Sequence, residues 1–426
     1  MNRLISIRGG RVVDPANGID RLLDLHLVDG RIASLGAAPA GAGGAEEIDA
    51  SGCLVMPGVV DLSVRTCEPG AEHKATIASE LAAAARAGVT TICIPPDTRP
   101  ILDTPAVVEL IHARTEAAAL ARVVCLGALT RKLEGAVLAE MAALAHIGCV
   151  GVSNARAPIE STAVQRRAFE YAANFGLTVF IQAEDPWLAA EGAAHEGAVA
   201  TRLGIPGIPE TAETIALARD LLLIEQTGVR AHFGRLSTAQ GVRLVTAARR
   251  RGLRVTSDVS LQHLELTEHD LEGYCVHRHL RPPLRSRADR DGLRRGVARG
   301  LIDAICSDHE PQDRDAKAAP FAASEPGASA LETLLPLTLS LVREGVLPLG
   351  MAVAALTSRP AGILGLPVGH LGVGAPADVC VFDPAVEWVV SAASLVSNGK
   401  NSPFLGRTVS GAVRCTLLGG RVVYHS

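Results

Sequence analysis

Ser63 and Arg65 stand two residues apart in the β-rich run Pro57-Gly58-Val59-Val60-Asp61-Leu62-Ser63-Val64-Arg65. Residues two apart on a strand project to one face, so a hydroxyl and a guanidinium point the same way. Imidazoles at this spacing would hold a divalent ion. A hydroxyl is only a weak neutral donor and a guanidinium is a permanent cation, so this pair repels a metal. Asp308-His309 offers different chemistry, a carboxylate beside an imidazole, which is a common acid–base arrangement. Without a metal to activate water, it is expected to be idle. Cys67 has no activating base beside it in sequence and reads as a bystander thiol. His277-Arg278-His279 precedes Arg281-Pro282-Pro283 and reads as an ordinary polar loop.

The first run continues as Thr66-Cys67-Glu68-Pro69-Gly70. The whole resembles the signature of dihydroorotases, metal-dependent amidohydrolases of pyrimidine synthesis, in which a strand ends Asp-x-His-x-His and goes on to x-Arg-Glu-Pro-Gly. The resemblance implies that Ser63 and Arg65 occupy metal-ligand positions. It also implies that Cys67 replaces an arginine that grips the substrate carboxylate, losing a bidentate fork. Later segments resemble the family's other motifs and carry the same kind of change. Val152-Ser153-Asn154-Ala155-Arg156 has Asn154 at the bridging ligand, and Gln182-Ala183-Glu184-Asp185 has Gln182 in place of a histidine. His232-Phe233-Gly234-Arg235-Leu236-Ser237-Thr238 keeps its first histidine but has Arg235 at the ligand. Asp308-His309-Glu310-Pro311-Gln312, against Asp-His-Ala-Pro-His, keeps Asp308, the general base and the one metal-ligand position that survives.

Substrate positions implied by the resemblance have changed too. Asp97, in Pro96-Asp97-Thr98-Arg99-Pro100, replaces an amide donor by an anion that repels an anionic substrate. Arg281 precedes Pro282-Pro283-Leu284-Arg285 in place of an asparagine, and Gln312 replaces a histidine. Elsewhere the resemblance runs along nearly the whole chain, through Glu72-His73-Lys74, Gly207-Ile208-Pro209-Glu210, His263-Leu264, Pro320-Phe321, Gly327 and Asn401-Ser402-Pro403-Phe404. An intact scaffold with a dismantled site resembles the noncatalytic dihydroorotase homologues that assemble with bacterial aspartate transcarbamoylase. That resemblance implies an inactive subunit with no zinc or other cofactor, in a hetero-oligomer of six chains of each kind. The competing expectation is an active dihydroorotase or other cyclic-amide hydrolase with an unusual metal site on Asp308, helped by His309 or His232. A third is a sensor whose Arg65, Arg235 and Arg281 bind an anion.

Positioning these residues takes alternating strands and helices. Val89 to Ile94 follows the alanine-rich helix Ile77 to Ala87, closed by Gly88, and later strands are expected at 177–181, 229–233, 254–259 and 304–307. This is the pattern of a TIM-like (β/α)8 amidohydrolase barrel, with its site at the strands' C-terminal ends. The strand–Gly-Gly–strand run Ile7 to Asp14 is echoed by Leu417 to Tyr424. Related amidohydrolases join both termini in a small β-sandwich, which places it at 1–56 plus 368–426 and the barrel at 57–367. Residues 313–330, rich in Ala, Pro and Ser, read as a long flexible loop over the barrel mouth.

With 426 residues, 48% hydrophobic and 20% charged, the chain can bury a large core. A net charge of -4 argues against nucleic acid, and Arg249-Arg250-Arg251 reads as the cationic end of a helix. Nine cysteines without a CxxC pair read as reduced thiols. Neither a signal-peptide core at Met1-Asn2-Arg3-Leu4 nor an apolar membrane span is seen, so the expected compartment is the cytoplasm.

Overall fold

The computed structural model describes residues 4–39 and 46–426, so positions 1–3 and 40–45 of the expected sandwich lie outside the described residues. Eight parallel strands follow one another round a single sheet. They are β1 (Val59–Asp61), β2 (Val89–Ile94), β3 (Arg122–Ala128), β4 (Gly151–Ser153), β5 (Thr178–Ile181), β6 (Arg230–Phe233), β7 (Val255–Ser260) and β8 (Ala304–Cys306). The ring closes just past β1 and β8, where Val64 bridges His309. There His309 N donates to Ser63 O at 3.0 Å and Arg65 N to His309 O at 2.9 Å. The fold is the expected TIM-like barrel, with the four later strands within one residue of their expected bounds. Val60, Leu62, Val124, Leu126, Phe180, Ala304 and Cys306 pack in one buried cluster, joined by Ala361 and Leu364 of the helix Ser358–Leu364.

Local chemistry explains the elements that frame the mouth. The helix Ile77–Arg86 starts with a reciprocal cap: Ser79 N donates to Thr76 Oγ1 at 3.1 Å, and Thr76 N to Ser79 Oγ at 3.0 Å. At Gly88 φ is +76°, and a Cβ would lie 2.5 Å from Cys380 Sγ, so both conformation and space require glycine.

Strands from both ends of the chain form two further sheets. One runs Arg31–Leu35, Leu25–Val28, Leu4–Arg8, Glu46–Asp49; the other Arg421–His425, Thr408–Leu418, Val379–Val389, Leu54–Pro57, Arg11–Asp14, Ile19–Leu22. Ile5, Ile7, Leu25, Leu27 and Ile32 of the first pack against Val12, Val55, Val379, Val381 and Leu417 of the second as a sandwich. The two Gly-Gly runs differ, which corrects the reading of both as equivalent turns. Gly419-Gly420 joins two paired antiparallel strands, whereas Gly9-Gly10 carries the chain from one sheet to the other. A Cβ at Gly10 would meet Val55 Cγ2 at 2.4 Å, so the crossover presses against the core.

Residues 313–330 differ from the expected flexible loop. They fold as a packed strap with two short turns, Asp315–Lys317 and Phe321–Ala323, and bury Phe321, Ser324 and Lys317. Glu310 N donates to Ala328 O at 2.7 Å and Gly327 N to His279 O at 2.9 Å. One buried aromatic and these backbone bonds are enough to fix a segment whose composition alone suggests a loop.

Candidate functional site at the barrel mouth

Ser63 and Arg65 follow β1, Asn154 and Arg156 follow β4, Gln182 and Glu184 follow β5, Arg235 follows β6, and Asp308 and Glu310 follow β8. The backbone turns sharply among them. Cys67, Ala155, Arg235 and Asp308 have φ of +60°, +49°, +59° and +43°, a region non-glycine residues adopt at a cost. At Arg235 the turn aims the residue's own N–H at Asp258 Oδ1, 2.5 Å away.

Arg235 reaches the centre of the mouth. Its Nη1 donates to Ser63 Oγ at 3.0 Å and its Nη2 to Gln182 Oε1 at 2.8 Å, while Ser63 Oγ donates to Asp308 Oδ1 at 3.0 Å. Four of the six expected ligand positions are therefore linked in one chain, Gln182 to Arg235 to Ser63 to Asp308. Arg65 turns the other way, donating from Nε and Nη2 to Asp97 Oδ2 at 3.0 and 2.9 Å. Arg156 pairs with Glu310 at 2.8 Å. The three guanidiniums converge on Asp308 at 3.6 Å from Arg235, 3.8 Å from Arg65 and 3.9 Å from Arg156, distances of ionic attraction without a hydrogen bond. The carboxylates of Asp97, Asp308 and Glu310 balance them. Burial opposes the charge on Glu310, but Arg156 and Arg65 outweigh it and hold that acid below its ordinary range. Burial likewise opposes the charge on Arg65, and Asp97, Glu310 and Asp308 overcome it.

The remaining candidates stand apart. Asn154 accepts from Thr130 Oγ1 at 2.7 Å and donates to Ala157 O at 3.0 Å, so it braces its own loop, and Arg156 enters the mouth instead. Arg281 forks onto Glu184 at 2.6 to 3.1 Å, so it has its counterion. Gln312 accepts from Lys74 Nζ at 2.7 Å and donates to Pro326 O at 2.9 Å. Cys67 Sγ faces Pro311 O at 3.6 Å, and burial pushes its thiol up to about 12. Arg65, Arg235 and Arg281, the candidates for an anion sensor, each face a carboxylate of the chain itself: Asp97, Asp308 and Glu184. Sequence reasoning passed over Arg156, Glu184 and Glu310. The available signal was opposite charge: Arg156 and Glu310, the latter at the alanine position of Asp-His-Ala-Pro-His, each sit within a changed motif.

Neither neighbouring histidine is free for acid–base work. His232 bonds Asp258 Oδ2 at 2.9 Å through Nε2 and Thr256 Oγ1 at 2.8 Å through Nδ1. Burial would raise Asp258, but the bonds from His232 and Arg235 hold it down. His309 points away from Asp308 and is fully buried. Its Nδ1 accepts from Ala330 N at 3.1 Å, which places its proton on Nε2, donated to Glu80 Oε2 at 2.7 Å. His279 packs on Phe321, and burial lowers it to about 4.

The donor set does not fit the metal that the resemblance implies. Asp308 is met by a hydroxyl, with an amide beyond it and three guanidiniums around it. One carboxylate without imidazole is too few ligands for zinc, and three fixed cations oppose any divalent ion. Among the described residues no three His, Cys, Asp or Glu side chains are grouped to hold one. Between Ser63, Ala155, Phe180, His232, Arg235 and Asp258 a cavity of ≈ 20 Å³ is left, room for about one water. A cavity of ≈ 310 Å³ opens beside it, between Arg65, Lys74, Asp97, Arg99 and Gln312.

Comparison with known proteins agrees with the fold. A family model described as Dihydro-orotase-like matches residues 52–240. A "Dihydroorotase-like protein" of Pseudomonas putida is 50% identical over 420 residues, 99% of each chain. A "Dihydroorotase" of Anaeromyxobacter sp. (strain K) is 44% identical over 427 residues, covering 100% of this chain and 99% of that one. Among solved structures, L-hydantoinase (dihydropyrimidinase) from Arthrobacter aurescens superposes with a TM-score of 0.87 at 27% identity, covering 100% of this chain and 96% of that chain.

Proposed function

The chain belongs to the dihydroorotase-like family, and from that premise we propose that it is a noncatalytic subunit which assembles with aspartate transcarbamoylase in the cytoplasm and supports that enzyme in pyrimidine synthesis. The observation that carries this reading is the Arg235 side chain, bonded to Ser63 and Gln182 and facing Asp308. A guanidinium in the middle of the expected ligand positions takes the place of a metal and supplies part of its charge. The replacements are also matched to one another: Arg65 with Asp97, Arg235 with Gln182 and Ser63, Arg156 with Glu310. A site decaying at random would leave buried charges unpaired at several kcal/mol each, whereas this one has been rebuilt as a neutral cluster. Stability of the barrel is thereby kept without chemistry, as a subunit valued for its surface requires.

The test is light-scattering mass after mixing the purified chain with the transcarbamoylase of its own organism, with dihydroorotate hydrolysis assayed on the same sample. A joint particle, in six-plus-six stoichiometry, without hydrolysis is the expected result. Hydrolysis with stoichiometric metal and no joint particle would restore the competing reading of an active amidohydrolase built on Asp308.

A further inference from the structure

On the barrel's outer wall the helices Ala239–Arg250 and Arg287–Ala298 lie side by side. Ala239 N donates to Asp289 Oδ1 at 3.0 Å, and a Cβ on Gly292 would meet the Ala239 Cβ at 2.5 Å. Their inward faces are apolar or satisfied: Val242, Val245, Ala248, Leu293 and Val297 are buried. Their outward faces carry Arg243, Arg250, Arg287, Arg295 and, at the end of the second helix, Arg299, all exposed. Arg287, Asp291, Arg295 and Arg299 are spaced by four and form one row about 18 Å long at the helical rise.

What marks this wall is an excess of arginine over carboxylate. Asp291 is tied to Arg290 at 2.9 Å, and Arg243 Nε has only the neutral Gln240 Oε1 at 2.6 Å. Among the described residues, Arg250, Arg287, Arg295 and Arg299 have no carboxylate within ion-pair distance. The chain as a whole carries 45 acidic residues against 41 basic ones. A positive wall on a net negative protein raises a local potential that steers and orients an oppositely charged partner.

We propose that the Arg243, Arg250, Arg287, Arg295 and Arg299 face is a docking surface for an acidic face of a partner protein. The assignment rests on the subunit reading given above, for which it supplies the contact. A protein fits better than nucleic acid: the wall has alanines at Ala247 and Ala288 between its arginines and no aromatic on which a base would stack. The negative remainder of the chain would also repel an extended polyanion.

The experiment compares the wild-type chain with R287E/R295E/R299E and with R287Q/R295Q/R299Q, each mixed with the transcarbamoylase chain at low and high salt. Complex mass and affinity are read, with a labelled DNA duplex as a parallel titrant. Expected are a wild-type complex that weakens with salt, an affinity loss of about 100-fold in the reversal variant, and a smaller loss in the glutamine variant. Far-ultraviolet circular dichroism should be unchanged, because all three side chains are exposed. Equal binding by wild type and both variants would overturn this surface while leaving the subunit reading standing. No complex with the wild-type chain would overturn both. Tight DNA binding lost in the variants, with the protein complex unaffected, would replace the protein partner by nucleic acid.

Discussion

Asp308 is the one acid facing three guanidiniums, whereas Arg235 is one of those three cations. Removing the shared member should therefore cost more than removing one of the sharers. Asp308→Asn should lower unfolding free energy by about 3 kcal/mol, the scale for breaking a buried pair. Arg235→Met should cost clearly less, and urea denaturation midpoints rank the two; the reverse order would refute the counterion role. Ser63→His with Arg65→His should not restore zinc binding or hydrolysis, because Gln182 and Arg235 remain. It should also destabilise the protein by stripping Asp97 of its partner, as thermal unfolding with and without zinc would show. Asp61 gives a separate pH signature. Burial raises it to about 6, above its ordinary value of 3.8, despite bonds from Ser63 N and Ser307 N. The folded state then binds a proton that the unfolded chain releases between these values, so this residue's contribution to stability falls as pH rises from about 4 to 6. Asp61→Asn keeps an oxygen for both backbone donors and should flatten that limb of the stability–pH curve.

Elements explain what sequence showed and what it hid. The barrel strands were legible because β-branched runs such as Val89 to Ile94 alternate with helices punctuated by glycines such as Gly88. Changed motif positions were legible because the motifs around them, such as Glu68-Pro69-Gly70 and Pro282-Pro283-Leu284-Arg285, still resemble the family's. The partners were not: Arg65 with Asp97 spans 32 residues and Arg156 with Glu310 spans 154, separations that no local period records. Nor was the strap at 313–330, tied at Gly327 and just before its start by Asn401. That side chain accepts from Gln312 N at 2.9 Å and donates to Glu310 O and Gly327 O at 3.0 Å each. Asn401→Ala would orphan all three groups, at about 1–3 kcal/mol for each group left buried. Hydrogen exchange of the Gln312 amide should quicken far more than that of the β3 amides; uniform quickening would mean global loosening instead.

For the whole molecule, stability without a metal is the clearest consequence of the neutral cluster. Dialysis against a strong chelator should leave the thermal midpoint unchanged to about 1 °C, where a metal-held site would lose stability by linkage. Reactive thiols should be few: seven of the nine cysteines are buried, and Cys67 is pushed up to about 12, so a thiol reagent should label Cys275 first and the buried seven only on unfolding.

The sandwich adds a constraint of timing. Arg11–Asp14, Ile19–Leu22 and Leu54–Pro57 leave the ribosome early, yet the strands completing their sheet, Val379–Val389 and Thr408–Leu418, are made more than three hundred residues later. Throughout that interval Ile5, Ile7, Leu25 and Leu27 lack the cover that Val379, Val381 and Leu417 later give them. The barrel can begin to assemble during translation, but the sandwich is a late event, and a nascent chain stalled before Val379 presents a sticky half-sheet to any chaperone nearby.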